Sequence, residues 1–303
     1  MNFKKPLFWD NPKPSFFSYI LVPFSVPIII KNFIAKFIKK EKSSKIKTIC
    51  VGNIYLGGTG KTPLTIKLYE ILKTLNKKVA TVKKNYPDQI DEQLLLEQRT
   101  SLITVDSRKN AIKEGLNHNY DTLIFDDGLQ EMKIDFDLKL VCFKTKTWIG
   151  NGQLIPAGPM REKISSLKKF DAVFLNGFSK NINIIENQIQ NINLNIKIFR
   201  TFYKIMNIQK FDLNSKYLIF SGIGNPSDFK DILLQNKFII EREMIYPDHY
   251  QYDINDLKKI IDIARRENLK ILTTEKDYMK IPEELKDKID FISVDLVIED
   301  QNK

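Results

Sequence analysis

A chain of 303 residues, 43% apolar with 20 Phe and 11 Tyr, can fill one large core or two ordinary ones, which excludes a disordered polypeptide. Its 48 basic residues exceed its 37 acidic ones by a formal +11, but the excess is nearly all Lys, spread through a chain rich in Ile, Asn and Lys, so it does not point to nucleic acid. The two cysteines, Cys50 and Cys142, both sit in apolar runs, which excludes a disulfide framework or a Cys/His metal site and fits a reducing cytoplasm.

The N-terminal stretch PSFFSYILVPFSVPIII, 14–30, carries no charge over 17 residues. That is short of the roughly 20 that span a bilayer. Pro23 and Pro27 interrupt it, and no small-residue cleavage site of a signal peptide follows it. Over 28–38 the spacing predicts a helix with Ile30, Phe33, Ile34, Phe37 and Ile38 on one face and Lys31, Lys36, Lys39 and Lys40 on or beside the other. Seven lysines lie between 31 and 47, the pattern of a helix lying in the interface of an anionic membrane. A helix packed on the protein's own core is the alternative.

From residue 48 the pattern becomes short apolar strands alternating with helical segments. TICVGN (48–53) reads as a strand, YLGGTGKT (55–62) as a glycine-rich loop and PLTIKLYEILKTLNKK (63–78) as a helix. Strands KVATVK (78–83), SLITVD (101–106), TLIFDD (122–127), LKLVCFK (138–144) and DAVFLNG (171–177) follow, with a helix over RKNAIKEGLN (108–117). This order predicts a parallel, helix-covered sheet. KIFRTFYKI (197–205) reads as a linking extended segment. A second β/α set then runs to FISVDLVI (291–298), predicting a smaller α/β lobe with a cleft between the two. The expected boundaries are 1–42 for the membrane-associating segment, 43–205 for the larger domain and 206–303 for the smaller lobe.

The loop departs from G-x-x-x-x-G-K-[ST] at one position: Tyr55 stands where the first glycine belongs. A phosphate needs backbone N–H groups curled at a helix N-terminus. Leu56, Gly57, Gly58, Thr59 and Gly60 can supply them, with Lys61 for the β- and γ-phosphates and Thr62 for Mg²⁺. The strand before and the helix after are the context the motif requires, so Tyr55 alters the loop's mouth and not its cradle.

Asp126 and Asp127 end an apolar strand where a parallel sheet binds its ligand, and an Asp so placed in phosphate-loop enzymes holds Mg²⁺. GNGQLIPAGPMRE (150–162) ends in Arg161, a candidate for phosphate charge, and Glu162, a candidate metal ligand; a surface loop leading to a helix is the other reading. His118, in NHNYD, reads as a solvated surface residue. His249, in YPDHY, is structural unless a carboxylate such as Asp91 faces it, because an Asp–His pair can accept a hydroxyl proton.

VGNIYLGGTGKTP, FDDGLQ, GNGQLIPAGPMRE, SGIGNPSDF, YPDHY and TTEKD stand in the order seen in the tetraacyldisaccharide 4'-kinase family, which the chain resembles from FWDNP (8–12) to TTEKD (273–277). That family's phosphate loop also lacks the first glycine. The resemblance implies an α/β protein with a P-loop NTPase-like parallel sheet core, a second, smaller α/β lobe and an N-terminal membrane-associating helix. It implies ATP-dependent phosphorylation, with Mg²⁺, of the 4'-hydroxyl of a tetraacylated glucosamine disaccharide 1-phosphate to give lipid IVA. The site would lie at the cytoplasmic face of the inner membrane.

Carried over position by position, the resemblance places an acid pair on Asp91 and Glu92, an Asp–His dyad on Asp91 with His249, a substrate arginine on Arg108 and a substrate glutamine on Gln130. Arg161 and Glu162 match its RE pair. Two positions depart: Glu131 stands where the family has His, and KKNYPDQ (83–89) replaces a glycine-rich S-R-G-Y-G-R segment beside Asp91. Neither touches the ATP cradle. Two rivals share the loop and the helix: a membrane-surface ATPase switch, and a homologue that binds nucleotide without transferring phosphate.

Overall fold

The structure, a computed structural model, describes residues 5–43, 45–85, 90–248 and 250–299, with the side chains of all of these except Ile90, Asp91 and Lys109. In chain order the elements are α1 (Phe16–Leu21), α2 (Val26–Ile34), β1 (Lys47–Gly52), α3 (Lys61–Thr74), β2 (Val79–Lys84), α4 (Ile90–Arg99), β3 (Leu102–Val105), α5 (Arg108–Asn117), β4 (Thr122–Asp126), β5 (Leu138–Lys144), β6 (Ala172–Asn176), α6 (Ile182–Ile192) and β7 (Lys197–Ile205). There follow β8 (Lys216–Ser221), α7 (Pro226–Gln235), β9 (Ile239–Ile245), α8 (Ile254–Arg266), β10 (Lys270–Thr274), α9 (Glu275–Tyr278), β11 (Asp290–Ile292) and β12 (Val294–Ile298). Two compact units emerge. The larger comprises Phe3–Asn85, Arg99–Phe202 and Leu296–Lys303, and the smaller includes Tyr86–Gln98 and Tyr203–Asp295, so α4 up to Gln98 goes with the smaller.

The larger unit is built on an eight-stranded sheet of order β12-β7-β6-β5-β1-β4-β2-β3. β1 lies between β4 and β5, parallel to both, with Val51 opposite Asp126 and Gly52 opposite Val141. Successive side chains of a strand face opposite ways. Cys50, Val82, Leu123 and Phe125 therefore pack on Ala111 of α5, while Asp126, one residue on, turns to the other face and meets α3. A second cluster joins Val141, Phe143, Val173 and Leu175 to Ile185 and Ile189 of α6. α3 stops at Leu75, where Asn76 takes the left-handed conformation (φ 58°) that ends helices. The helix thus covers Lys61–Thr74 and not 63–78.

The N-terminal segment differs from the predicted single helix over 28–38. α1, a 3₁₀ turn (Val22–Ser25) and α2 form one helical run, Phe16–Ile34, of 19 residues, long and apolar enough by length and composition to cross a membrane. Pro23 and Pro27 divide the run into its three parts without ending it. Each falls in the first turn of its own element, where a missing N–H removes no helical hydrogen bond. KIFRTFYKI is more than a link: it is β7, paired in parallel with β6 from Ala172↔Lys197 to Asn176↔Thr201. FISVDLVI is two strands, β11 and β12, in different sheets.

The smaller unit has a four-stranded sheet, β11-β10-β8-β9, with all neighbours parallel. Leu218 and Phe220 pack on Leu257 and Ile260 of α8, whose start is fixed by a capping box between Asp253 and Asp256. The TTEKD motif has a structural duty here. Asp277, fully buried, accepts from Gly222 N at 3.0 Å and Thr274 Oγ1 at 2.8 Å and pairs with Lys280 at 2.9 Å.

Candidate active site

The turn between β1 and α3 is held from within by Asn53. Its side chain is fully buried, and Nδ2 donates to Gly57 O at 3.0 Å and to Thr59 Oγ1 at 3.2 Å. Its carbonyl accepts from Gln130 Nε2 at 3.0 Å. Gly57 (φ 133°) and Gly60 (φ 91°), the residue that caps α3, take conformations L side chains rarely adopt. Sequence reasoning passed over Asn53. Its signal was an amide immediately before a glycine-rich turn, where Asn commonly bonds local backbone.

At the start of α3, Thr62 Oγ1 donates to Asp126 Oδ2 at 3.1 Å and Thr65 Oγ1 to Asp126 Oδ1 at 3.2 Å. Lys83 Nζ pairs with the same Asp126 Oδ2 at 2.8 Å, both side chains almost wholly buried. Asp127 turns the other way, with φ 53°. Its carboxylate lies 3.9 Å from Lys61 Nζ and 3.5 Å from Arg161 Nη1, and its carbonyl accepts from Arg108 Nη2 at 2.8 Å. Arg161 Nη1 also donates to Gln130 Oε1 at 3.1 Å. Four cations, Lys61, Lys83, Arg108 and Arg161, thus surround two carboxylates, and a polyphosphate would offset the surplus. Buried Arg108 Nε has no hydrogen-bond partner among the described residues.

The structure gathers Lys61, Thr62, Arg108, Asp127, Gln130 and Arg161, and at four other points it shows partners that the sequence does not disclose. The Leu56 N–H is directed to Pro159 O at 2.8 Å. The Tyr55 hydroxyl donates to Asp10, and burial, reinforced by that bond, pushes the phenol above its ordinary range; the side chain faces the N-terminal segment. The carboxylate against Thr62 is Asp126, not Asp127, because strand alternation turns only Asp126 toward α3. Glu162 is paired with Lys169 Nζ at 2.6 Å, and no three His, Cys, Asp or Glu side chains cluster for a metal among the described residues.

Glu92 belongs to the smaller unit, where it pairs with Lys276 at 3.4 Å. His249 and the Asp91 side chain lie outside the described residues, as do 86–89 of the altered KKNYPDQ segment. His118 is exposed at the end of α5. Burial pushes the Cys142 thiol up to about 12 and Cys50 still higher.

A family model, LpxK, tetraacyldisaccharide-1-P 4'-kinase, matches residues 18–303. A tetraacyldisaccharide 4'-kinase of Pelagibacter ubique (strain HTCC1062) is 48% identical over 303 residues, covering 99% of this chain and 96% of that one. One from Rickettsia canadensis (strain McKiel) is 31% identical over 318 residues, covering 98% and 94%. The crystal structure of LpxK from Aquifex aeolicus in complex with ATP has the same fold: TM-score 0.70 at 22% identity, covering 94% of this chain and 96% of that one. This chain belongs to the tetraacyldisaccharide 4'-kinase family.

Proposed function

We propose that this protein transfers the γ-phosphate of ATP to the 4'-hydroxyl of a tetraacylated glucosamine disaccharide 1-phosphate at the cytoplasmic face of the inner membrane. The observation that carries the reading is the convergence of Lys61, Arg161 and Arg108 on Asp127 at the mouth of a glycine-rich turn, in a chain of this family.

Phosphoryl transfer is largely positioning and charge neutralisation around a loose transition state. The N–H groups from Gly57 to Thr62 cradle the phosphates at the N-terminus of α3. Lys61 and Arg161 face the charge that develops on the transferring group, and Asp127 holds the two in register until the nucleotide arrives. Thr62 and Asp126 suit Mg²⁺, since a hydroxyl and a carboxylate are the hard oxygen donors that ion selects. When bound, Mg²⁺ would supply charge neutralisation on the phosphates. The acceptor oxygen forms its bond to phosphorus as the bond to ADP breaks, and its proton passes to His249, oriented by Asp91. That last assignment rests on the resemblance, as do the substrate roles of Glu92, Arg108 and Gln130. General-base help is worth roughly 10²–10⁴-fold, so His249→Ala should keep measurable turnover.

The substrate is an amphiphile, and the N-terminal segment suits its surface. Phe16, Phe17, Phe24, Phe33 and Phe37 stand exposed, Phe16 by 75% and Phe37 by 74%, and the lysines that follow face anionic headgroups. Purified protein given γ-labelled ATP and the disaccharide acceptor in detergent micelles should move label into lipid. Label released only as free phosphate, with none in lipid, would favour a membrane-surface ATPase switch. Nucleotide binding without turnover would mark a homologue that has lost catalysis.

A further inference from the structure

Adsorption to a membrane asks only for an outward apolar face on the N-terminal segment. Its inward face is built differently. Trp9 is 1% exposed and donates from Nε1 to Pro156 O at 3.0 Å, while Asn151 N donates to Trp9 O at 2.9 Å. Ser18, fully buried, accepts from Asn151 Nδ2 at 3.0 Å; Ser25 Oγ donates to Leu154 O at 3.1 Å. Gly150 (φ 57°) makes this approach possible, since a Cβ there would come within 2.2 Å of Trp9 O. Farther along, Asn32 Nδ2 donates to the carbonyl of Arg161 at 2.9 Å.

The loop that receives these bonds is in turn zipped to the phosphate loop. Arg161 N donates to Ile54 O at 2.7 Å, Leu56 N to Pro159 O at 2.8 Å, and Tyr55 and Met160 form an antiparallel bridge. At the same point the Tyr55 side chain closes the circuit directly. Its hydroxyl donates to Asp10, and Lys5 Nζ donates at 2.5 Å to both the Tyr55 hydroxyl and Asp10 Oδ1. Burial, then the bond to Asp10, keeps the phenol protonated as the donor of this triad.

We propose that the N-terminal segment is a positioning element as well as a membrane anchor: Asp10, acting through Tyr55, sets the phosphate loop, and Asn32, acting through the Arg161 carbonyl, sets that arginine. This inference rests on the kinase reading above. It assigns Tyr55 a purpose that its place in the glycine position does not disclose. The hydroxyl that replaces the loop's first glycine ties the nucleotide cradle to the segment that meets the membrane.

The test uses the full-length protein with acceptor in detergent micelles, so that membrane partitioning does not limit the rate. Tyr55→Phe and Asp10→Asn should each raise KM for ATP about three- to tenfold, the effect of losing one ordinary part-buried hydrogen bond. The double variant should be no worse than the poorer single one, because both remove the same contact. Asp10→Glu, which keeps the charge, should recover much of the loss. Asn32→Ala should lower kcat by a similar factor with KM for ATP unchanged.

Partitioning of all variants onto anionic vesicles should match the parent. Unaltered KM and kcat in Tyr55→Phe, Asp10→Asn and Asn32→Ala would overturn the proposal. So would losses that vanish once rates are corrected for the folded fraction measured by circular dichroism. A parent protein that transfers no phosphate would instead sink the kinase reading, a result the variants cannot imitate.

Discussion

Asp126 and Asp127 are chain neighbours with opposite surroundings, and the difference separates their duties. Asp126 is sealed against Lys83, Thr62 and Thr65; Asp127 meets Lys61 and Arg161 at the rim. Removing one partner of a buried ion pair costs roughly 3–5 kcal/mol, so Asp126→Ala should lower the urea midpoint strongly as well as activity. Asp127→Asn keeps a residue that tolerates φ 53°, so stability should change by no more than about 0.5 kcal/mol while turnover falls. Denaturation curves paired with kinase rates separate the two. The cysteines offer a second check. With the Cys142 thiol held at about 12 and Cys50 higher, neither presents thiolate at pH 8, so a maleimide should label the protein only after unfolding. Labelling in the native state would show that the cores around them open.

Among the elements, β1 and β5 are joined at their N-terminal ends by Asp137. Burial pushes this carboxyl up, but the Thr48 N–H at 2.9 Å, the Thr48 hydroxyl at 3.1 Å and Lys42 outweigh it and hold it below the ordinary carboxylate range. A depressed carboxylate stabilises the fold above its unfolded value, about 3.9, and the contribution is lost as pH falls through the lower folded value. Asp137→Asn should therefore destabilise the protein at pH 7 and flatten its stability profile below pH 4. Equal slopes in acid for both proteins would refute that role. GGTGKT and the strand order were legible because loop geometry and sheet periodicity are written in neighbouring residues. Lys83 on Asp126 and Asp10 on Tyr55 were not, being 43 and 45 residues apart and joined only by strand register and loop packing. The proline-containing N-terminus read as broken because a proline at a helix start and one in its middle look alike until the cap is located.

On the scale of the whole molecule, one protein presents a soluble nucleotide's cradle and an apolar helical surface, the combination a kinase needs when its acceptor stays in a lipid leaflet. The exposed phenylalanines face away from the bonds that hold the segment, so they can be altered without disturbing it. Phe33→Glu with Phe37→Glu should reduce partitioning onto anionic vesicles at least about tenfold while sparing turnover on micellar acceptor. Unchanged partitioning would remove the membrane role. The central claim, transfer from the Gly57–Thr62 turn to one sugar oxygen, is tested most directly by ³¹P–¹H correlation NMR of the lipid product made by the parent protein and by Lys61→Ala. The account predicts a new phosphate monoester coupled to the proton at the 4' carbon with the parent and none with the variant. A phosphate on another oxygen, or an equal 4' signal from Lys61→Ala, would contradict it.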